Sequence, residues 1–347
     1  MDESPGWSAI DAALRPLYGG TEPYHLGTVL KWALGGPDPL DGISVYARTE
    51  PVPHWHFISY GMTELYEKQS ENPDESGWGF EFTFRLARDP AEERPPVWAA
   101  NLLQNLGRYV FQSGNWFEAG HHMNVNGPLA ADRDDSEIRA VAFLEDPELG
   151  EISTPHGKVV FLQVVGLATE EYEALRRWNA EGLMAALAPH LPLLVTDIDR
   201  RSLLADPEVA RAVEEGVARD GSSGGMLFVT TADWERDGDA TTLRLGALQA
   251  PAIADALRGR LPFGRELVLR TEETALAFLP AGAFAIEEPA EGVLEVHVPP
   301  AALDDLTAAL APTAGRRAVA SLPALTVEIV PTAMKDRFGQ ETGEVVG

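Results

Sequence analysis

Two aromatic runs constrain this chain more than any other feature: His54-Trp55-His56-Phe57-Ile58-Ser59-Tyr60, and Trp78-Gly79-Phe80-Glu81-Phe82-Thr83-Phe84-Arg85-Leu86. In the second, Phe80, Phe82 and Phe84 alternate with Glu81, Thr83 and Arg85. That period of two sets three rings on one face and the polar set on the other, as in a half-buried strand. The first run is aromatic on both faces, as expected of a strand covered from both sides. The polar stretch Asn72-Pro73-Asp74-Glu75-Ser76-Gly77 lies between them and reads as a turn-forming loop. Two neighbouring strands with this much ring area should nucleate a core.

The chain has 347 residues, too many for one ordinary core, so two domains are expected. A hydrophobic content of 45% with 8 Trp and 13 Phe marks it as globular. No segment reaches about 18 consecutive apolar residues, and Met1-Asp2-Glu3-Ser4 lacks a basic leader, so neither a membrane span nor a signal peptide is expected. With no cysteine there are no disulfides and no thiolate metal sites, and the cytoplasm is the expected compartment. The net charge is −27, from 27 basic against 54 acidic residues. Such a surface repels phosphate backbones and argues against nucleic-acid binding. It suits a basic protein partner, or serves solubility alone; charge by itself does not choose.

In chain order, the patterns predict a helix over 7–17, stopped by Gly19-Gly20, and a strand over 43–47. A helix over 97–112 turns Trp98, Leu102, Leu103, Leu106 and Val110 inward. Strands follow near 138–144 and 159–167. Next come a helix over 169–188, capped by Thr169, and an apolar strand over 192–198. Asp206-Pro207-Glu208 opens another helix, which ends at Gly221. Gly221-Ser222-Ser223-Gly224-Gly225 reads as a linker between a first domain of residues 1–220 and a smaller one of residues 226–333. In the second, strands are expected over 226–231, 242–247, 265–279, 293–298 and 325–330, with helices over 251–259 and 300–310. Residues 334–347 read as a polar, frayed tail. The mixed order of elements gives an α+β fold class of two mixed α/β domains.

Three constellations are weighed for chemistry. His54 with His56, and His121 with His122, have spacings that zinc sites use, but no third ligand or activating base accompanies them. No metal and no cofactor are therefore expected. Gly221-Ser222-Ser223-Gly224-Gly225 matches the G-x-S-x-G string, yet it follows a helix and precedes a strand, the reverse of a nucleophile elbow. Asp132, Asp134 and Asp135 sit in a loop of solvated charge. No phosphate loop or dinucleotide fingerprint occurs. What remains is a binding protein rather than an enzyme.

The string from His54 to Gly61, followed by Leu65-Tyr66 and then Gly77 to Leu86, resembles the signature of the Suppressor of fused family. Leu34-Gly35-Gly36-Pro37-Asp38-Pro39-Leu40-Asp41, Arg108-Tyr109-Val110-Phe111-Gln112-Ser113 and Phe161-Leu162-Gln163-Val164-Val165-Gly166 also fit it. The resemblance runs from about Trp7 to Gly221 and is thinner beyond. It implies a two-domain, non-enzymatic binding protein. Animal members hold a Gli-type transcription factor in the cytoplasm by clamping an extended peptide between the two domains, a case of strand addition. Bacterial relatives occur in polymorphic toxin systems, where they are proposed to be immunity proteins. The compact, Ala- and Arg-rich chain lacks the long insertion of animal second domains and looks bacterial. The expectation is thus a monomeric immunity protein neutralising a toxin domain, with a motif-binding regulator that sequesters a cytoplasmic or transcription-factor partner as the alternative.

Carried over residue by residue, the resemblance implies a partner-binding set of Tyr109, Trp116, Glu118, His121, His122, Met226, Phe228 and Leu261, with 116–122 taken as a strand. His121 stands where animal members carry an acidic residue, which argues against the same peptide being bound. Tyr109 has a plainer reading as a helix-end ring packed on the core.

Overall fold

The structure is a computed structural model that describes residues 4–335 and 341–347; Met1-Asp2-Glu3 of the leader reading lie outside the described residues. The chain forms two compact units, Met1–Tyr172 with Met184–Ala210, and Glu173–Leu183 with Arg211–Gly347.

The first unit opens with α1 (Pro5–Tyr18), its Ile10 and Leu14 buried and Gly19 ending it. The strands β1 (Tyr24–Gly27), β2 (Gly42–Arg48), β3 (His54–Tyr60) and β4 (Glu75–Ala87) then meander. After the helix α2 (Val97–Ser113) come β5 (His122–Asn124), β6 (Ile138–Glu145), β7 (Glu151–Thr154) and β8 (Gly157–Ala168). Among the described residues the sheet runs in the order β1-β2-β3-β4-β8-β6-β5, and β7 pairs with β8. Strands β4 and β8 are parallel, and the other neighbours are antiparallel. The aromatic strands are therefore central. One face of β3 packs Trp55 and Phe57 with Phe80, Phe82 and Phe84 against Leu103, Leu106 and Val110 of α2. The other packs Ile58 and Tyr60 under Ile10 and Leu14 of α1. All of β3 is buried, as a strand covered on both faces requires.

The polar face of β4 departs from expectation. Glu81, Thr83 and Arg85 are each 0% exposed. They stay buried because distant chain supplies their partners, as every buried polar group needs. Glu81 accepts from Ser59 Oγ at 2.5 Å, Thr63 Oγ1 at 2.6 Å, and the backbone N–H groups of Gly61 and Thr63 at 2.9 and 3.0 Å. Its carboxylate thus organises the turn that leaves β3. Gly61 in that turn has φ +133, and a Cβ there would meet Asp41 N at 2.7 Å, so a side chain is excluded on both counts.

The remaining helices of this region are α3 (Thr169–Arg177), α4 (Ala180–Leu187) and α5 (Pro207–Asp220), and the boundary between the units passes through all three. The single helix expected over 169–188 is broken because Asn179 Oδ1 accepts from Gly182 N–H at 2.6 Å and caps a new start. At the first helix it is Glu171 that reaches back, accepting from Ala168 N–H at 2.9 Å. Residues 192–198 are not a strand. Leu193 and Leu194 take φ of 50 and 56, and Thr196 makes one isolated bridge to Leu86. Gln163 Nε2 holds the kinked carbonyls of Leu193 and Leu194, each at 3.0 Å.

The second unit carries β9 (Met226–Phe228), β10 (Ala232–Asp237), β11 (Ala240–Gly246), α6 (Ala250–Arg260), β12 (Leu267–Arg270), β13 (Ala275–Pro280), β14 (Ala285–Ala290), β15 (Val293–Val298), α7 (Leu303–Ala309), β16 (Gly315–Val319) and β17 (Leu322–Val330). Among the described residues its two larger sheets run β10-β11-β17-β16 and β14-β15-β13-β12-β9. Leu243, Leu245, Ile253, Leu257, Phe278, Leu294, Leu306 and Val327 share its core. The frayed tail expected over 334–347 instead contributes to a hairpin of β18 (Thr332–Lys335) and β19 (Glu341–Val346) where it is described.

The glycine-rich stretch also departs from the linker reading. Ser222 is buried, its N–H bonded to Gly259 O at 2.7 Å and its Oγ to Arg176 O at 2.7 Å. The guanidinium of Arg260 donates to Ser222 O at 2.8 Å, and Ser223 N–H donates to Trp178 O at 2.7 Å. These bonds build 221–225 into the second unit, so it does not part the two units.

Candidate functional site

The two histidine clusters have different fates. His54 and His56 are buried. His54 Nδ1 lies 2.7 Å from Val52 O, and His56 Nδ1 is 2.5 Å from the Tyr18 hydroxyl. Below them Arg85 grips Asp146 with both arms, Nη1 to Oδ2 at 2.6 Å and Nη2 to Oδ1 at 3.0 Å. Thr83, the N–H groups of Glu148 and Leu149, and Gln163 complete the cluster. His56 Nε2 is 3.4 Å from Asp146 Oδ2. Burial would raise the Asp146 carboxyl, but His56 and Arg85 hold it well below the usual carboxylate range. Burial, reinforced by the Arg85 charge, pulls His54 and His56 down to about 4. Both histidines are neutral structural groups at neutral pH.

His121 lies at the surface among other members of the expected set. The segment 116–121 is a loop rather than a strand, turned by Gly120 at φ +94. Gly120 N–H bonds to Phe143 O, and His121 N–H bonds to Glu118 O. His121 Nδ1 closes the turn by accepting from Glu118 N–H at 3.2 Å. Trp116, 56% exposed, donates through Nε1 to Glu118 Oε1 at 3.0 Å. Tyr109 is 39% exposed, and its hydroxyl accepts from Asn115 Nδ2 at 3.1 Å. Its ring stacks on Phe117 at 5.6 Å, and Phe117 in turn stacks on Phe143 at 4.0 Å. Tyr109 is thus the outer end of a ring stack that begins in the core. Phe117 lies inside the stretch 116–122 taken as a strand, but its place in the ring stack is not legible there, because that part of the chain forms a loop with no side-chain period.

His122 begins β5, the edge strand, and its ring meets Tyr172 edge-on at 5.3 Å. The sequence places Tyr109, Trp116, Glu118, His121 and His122 around one rim of the first unit: the end of α2, the loop after it, and an open sheet edge.

The second unit offers another edge, β9, paired in parallel with β12. Val268 N–H bonds to Gly225 O and Val229 N–H to Arg270 O. The period of two then turns the main-chain groups of Met226 and Phe228 away from β12. Their side chains are 50% and 80% exposed. An open strand edge with two large apolar side chains is a template for another strand. Leu261 differs: it is 7% exposed, within the core of the second unit, and presents no contact surface.

The family model described as Suppressor of fused protein (SUFU) matches residues 36–201. The Suppressor of fused homologs of Homo sapiens and Mus musculus are each 39% identical to the chain over 235 residues. The chain belongs to the Suppressor of fused family. Those matches cover 63% of this chain and 48% of each relative, so the chain spans about half the length of the curated relatives it matches. The crystal structure of Drosophila Suppressor of Fused superposes with a TM-score of 0.81 at 25% identity, covering 94% of this chain and 97% of that one. The chain in a Sufu–Fu complex crystal structure matches at 35% identity with a TM-score of 0.57, over 61% of this chain and 98% of that one. The residues from Tyr109 to His122 fall inside the family match, whereas β9, in the second unit, falls beyond it. Among the described residues of this family member, no helix is long and apolar enough to cross a membrane.

Proposed function

We propose that this chain is a non-enzymatic, monomeric, cytoplasmic protein-binding protein that takes an extended segment of its partner onto the edge of β9. The observation that carries this reading is β9 itself: an edge with no strand on its outer side among the described residues, whose Met226 and Phe228 present exposed apolar side chains. Added strands gain affinity from main-chain hydrogen bonds and selectivity from side-chain pockets. On the first unit, the rim of Tyr109, Trp116, Glu118, His121 and His122 offers a protein-binding surface of its own. A relative crystallised as a Sufu–Fu complex supports a protein as the partner. Regulation by sequestering a motif-bearing partner is the form this takes by analogy with the animal homologs.

The second reading is an immunity protein of a bacterial toxin system, favoured by the net charge of −27. A basic toxin domain would dock with a steep dependence on salt, whereas strand addition depends on it weakly. Titration of the co-purified native partner at low and high ionic strength separates the two.

For either partner, Tyr109→Ala is expected to weaken binding by about 2 kcal/mol, and Phe228→Asp by at least as much. Phe82→Ala, which empties a site between Phe80, Phe117 and Phe143, should instead cost about 3–5 kcal/mol of stability. Calorimetric titration alongside denaturant melts makes the comparison. Normal binding by both surface variants would move the site elsewhere.

A further inference from the structure

On the antiparallel pair β14–β15 the register sets Glu287 directly opposite Glu295. Like charges facing each other across a ladder destabilise it, so the arrangement needs a cation. His297 lies two residues beyond Glu295, which puts its ring on the same face as both carboxylates. Its Nε2 is buried with no hydrogen-bond partner, 3.9 Å from Glu287 Oε1 and 3.8 Å from Glu295 Oε2. The three ligand atoms all lie within 4.8 Å of one another. An ion bound at about 2.0–2.2 Å sets neighbouring ligands roughly 3.3 Å apart, so inward moves of somewhat under about 1 Å at each carboxylate close the site.

We propose that Glu287, Glu295 and His297 form a divalent transition-metal site of the zinc class that staples the edge strand β14 to β15. One imidazole nitrogen with two carboxylate oxygens matches zinc and its neighbours; magnesium and calcium prefer oxygen alone. A divalent ion neutralises the facing carboxylates and gives the Nε2 lone pair a partner. The staple sits where it is structurally useful. The register slips between Glu287 and Ala290, and Pro289 removes a ladder donor, so this edge is otherwise weakly held. Pattern reading passed over the site because Glu295-Val296-His297 is an ordinary strand alternation whose third ligand comes from the neighbouring strand.

The test uses the full chain, freed of metal with a chelator and titrated with zinc by calorimetry and equilibrium dialysis. The expected result is one zinc per chain, with affinity falling at least tenfold in His297→Ala and in Glu287→Gln, and unchanged in the exposed control His190→Ala. Glu287 is solvent-exposed, so Glu287→Gln keeps the fold even if His297→Ala does not. Zinc should also raise the melting temperature of the wild type and leave that of Glu287→Gln unmoved. Unchanged affinity in Glu287→Gln, or binding in the wild type no tighter than that of a lone surface histidine, overturns the proposal. In the latter case His297 is only a neighbour of the two carboxylates and holds no ion.

Discussion

Asp146→Ala is expected to destabilise the protein by about 3–5 kcal/mol, the usual cost of removing one partner from a buried ion pair. Arg85 is 0% exposed and holds Asp146 through both Nη atoms. Without the carboxylate its charge keeps only Glu148 and Gln163. Thr83 Oγ1 and the N–H groups of Glu148 and Leu149 also lose their acceptor. Arg85→Met together with Asp146→Leu should recover a large part of the loss, since an apolar replacement carries no desolvated charge. Urea melts of the single and double variants decide this. A single variant within about 1 kcal/mol of wild type, the usual worth of a solvent-exposed ion pair, would mean that water reaches the cluster.

Mild acid should act on the same region. His54 and His56 are held neutral, with their affinity for protons lowered from 6.5 to about 4. Above about pH 6.5 both folded and unfolded chains leave them neutral, and stability is unaffected. Between there and about pH 4 the unfolded chain takes up protons that the folded chain refuses, so stability falls as pH falls. The loss approaches about 3 kcal/mol for each histidine at the bottom of that window. Denaturant midpoints at pH 7.5 and pH 5, for wild type and His54→Gln/His56→Gln, measure it. A wild type as stable at pH 5 as at pH 7.5 would contradict the burial argument.

What the sequence made legible followed distance along the chain. The aromatic strands, α2 and the start of α5 rest on local periodicity and capping; Asp206 Oδ1 accepts from Glu208 N–H at 2.8 Å, as its position before Pro207 suggests. The polar face of β4 was illegible because Arg85 finds Asp146 61 residues away. Ser222 likewise finds the Arg260 guanidinium 38 residues away, and a string with a linker's composition becomes a fixed turn. In the candidate site, family resemblance pointed to Tyr109, Trp116 and His121, and the chain brings them to one rim. It could not show that Leu261 faces inward, because an apolar residue at a helix end reads alike whether it packs inward or outward.

Amide hydrogen exchange across residues 224–230, with and without the co-purified partner, tests strand addition most directly. Slowed exchange at Met226 and Phe228, whose N–H groups face away from β12, is the predicted result. Unchanged exchange there, with protection confined to other surfaces, would contradict it.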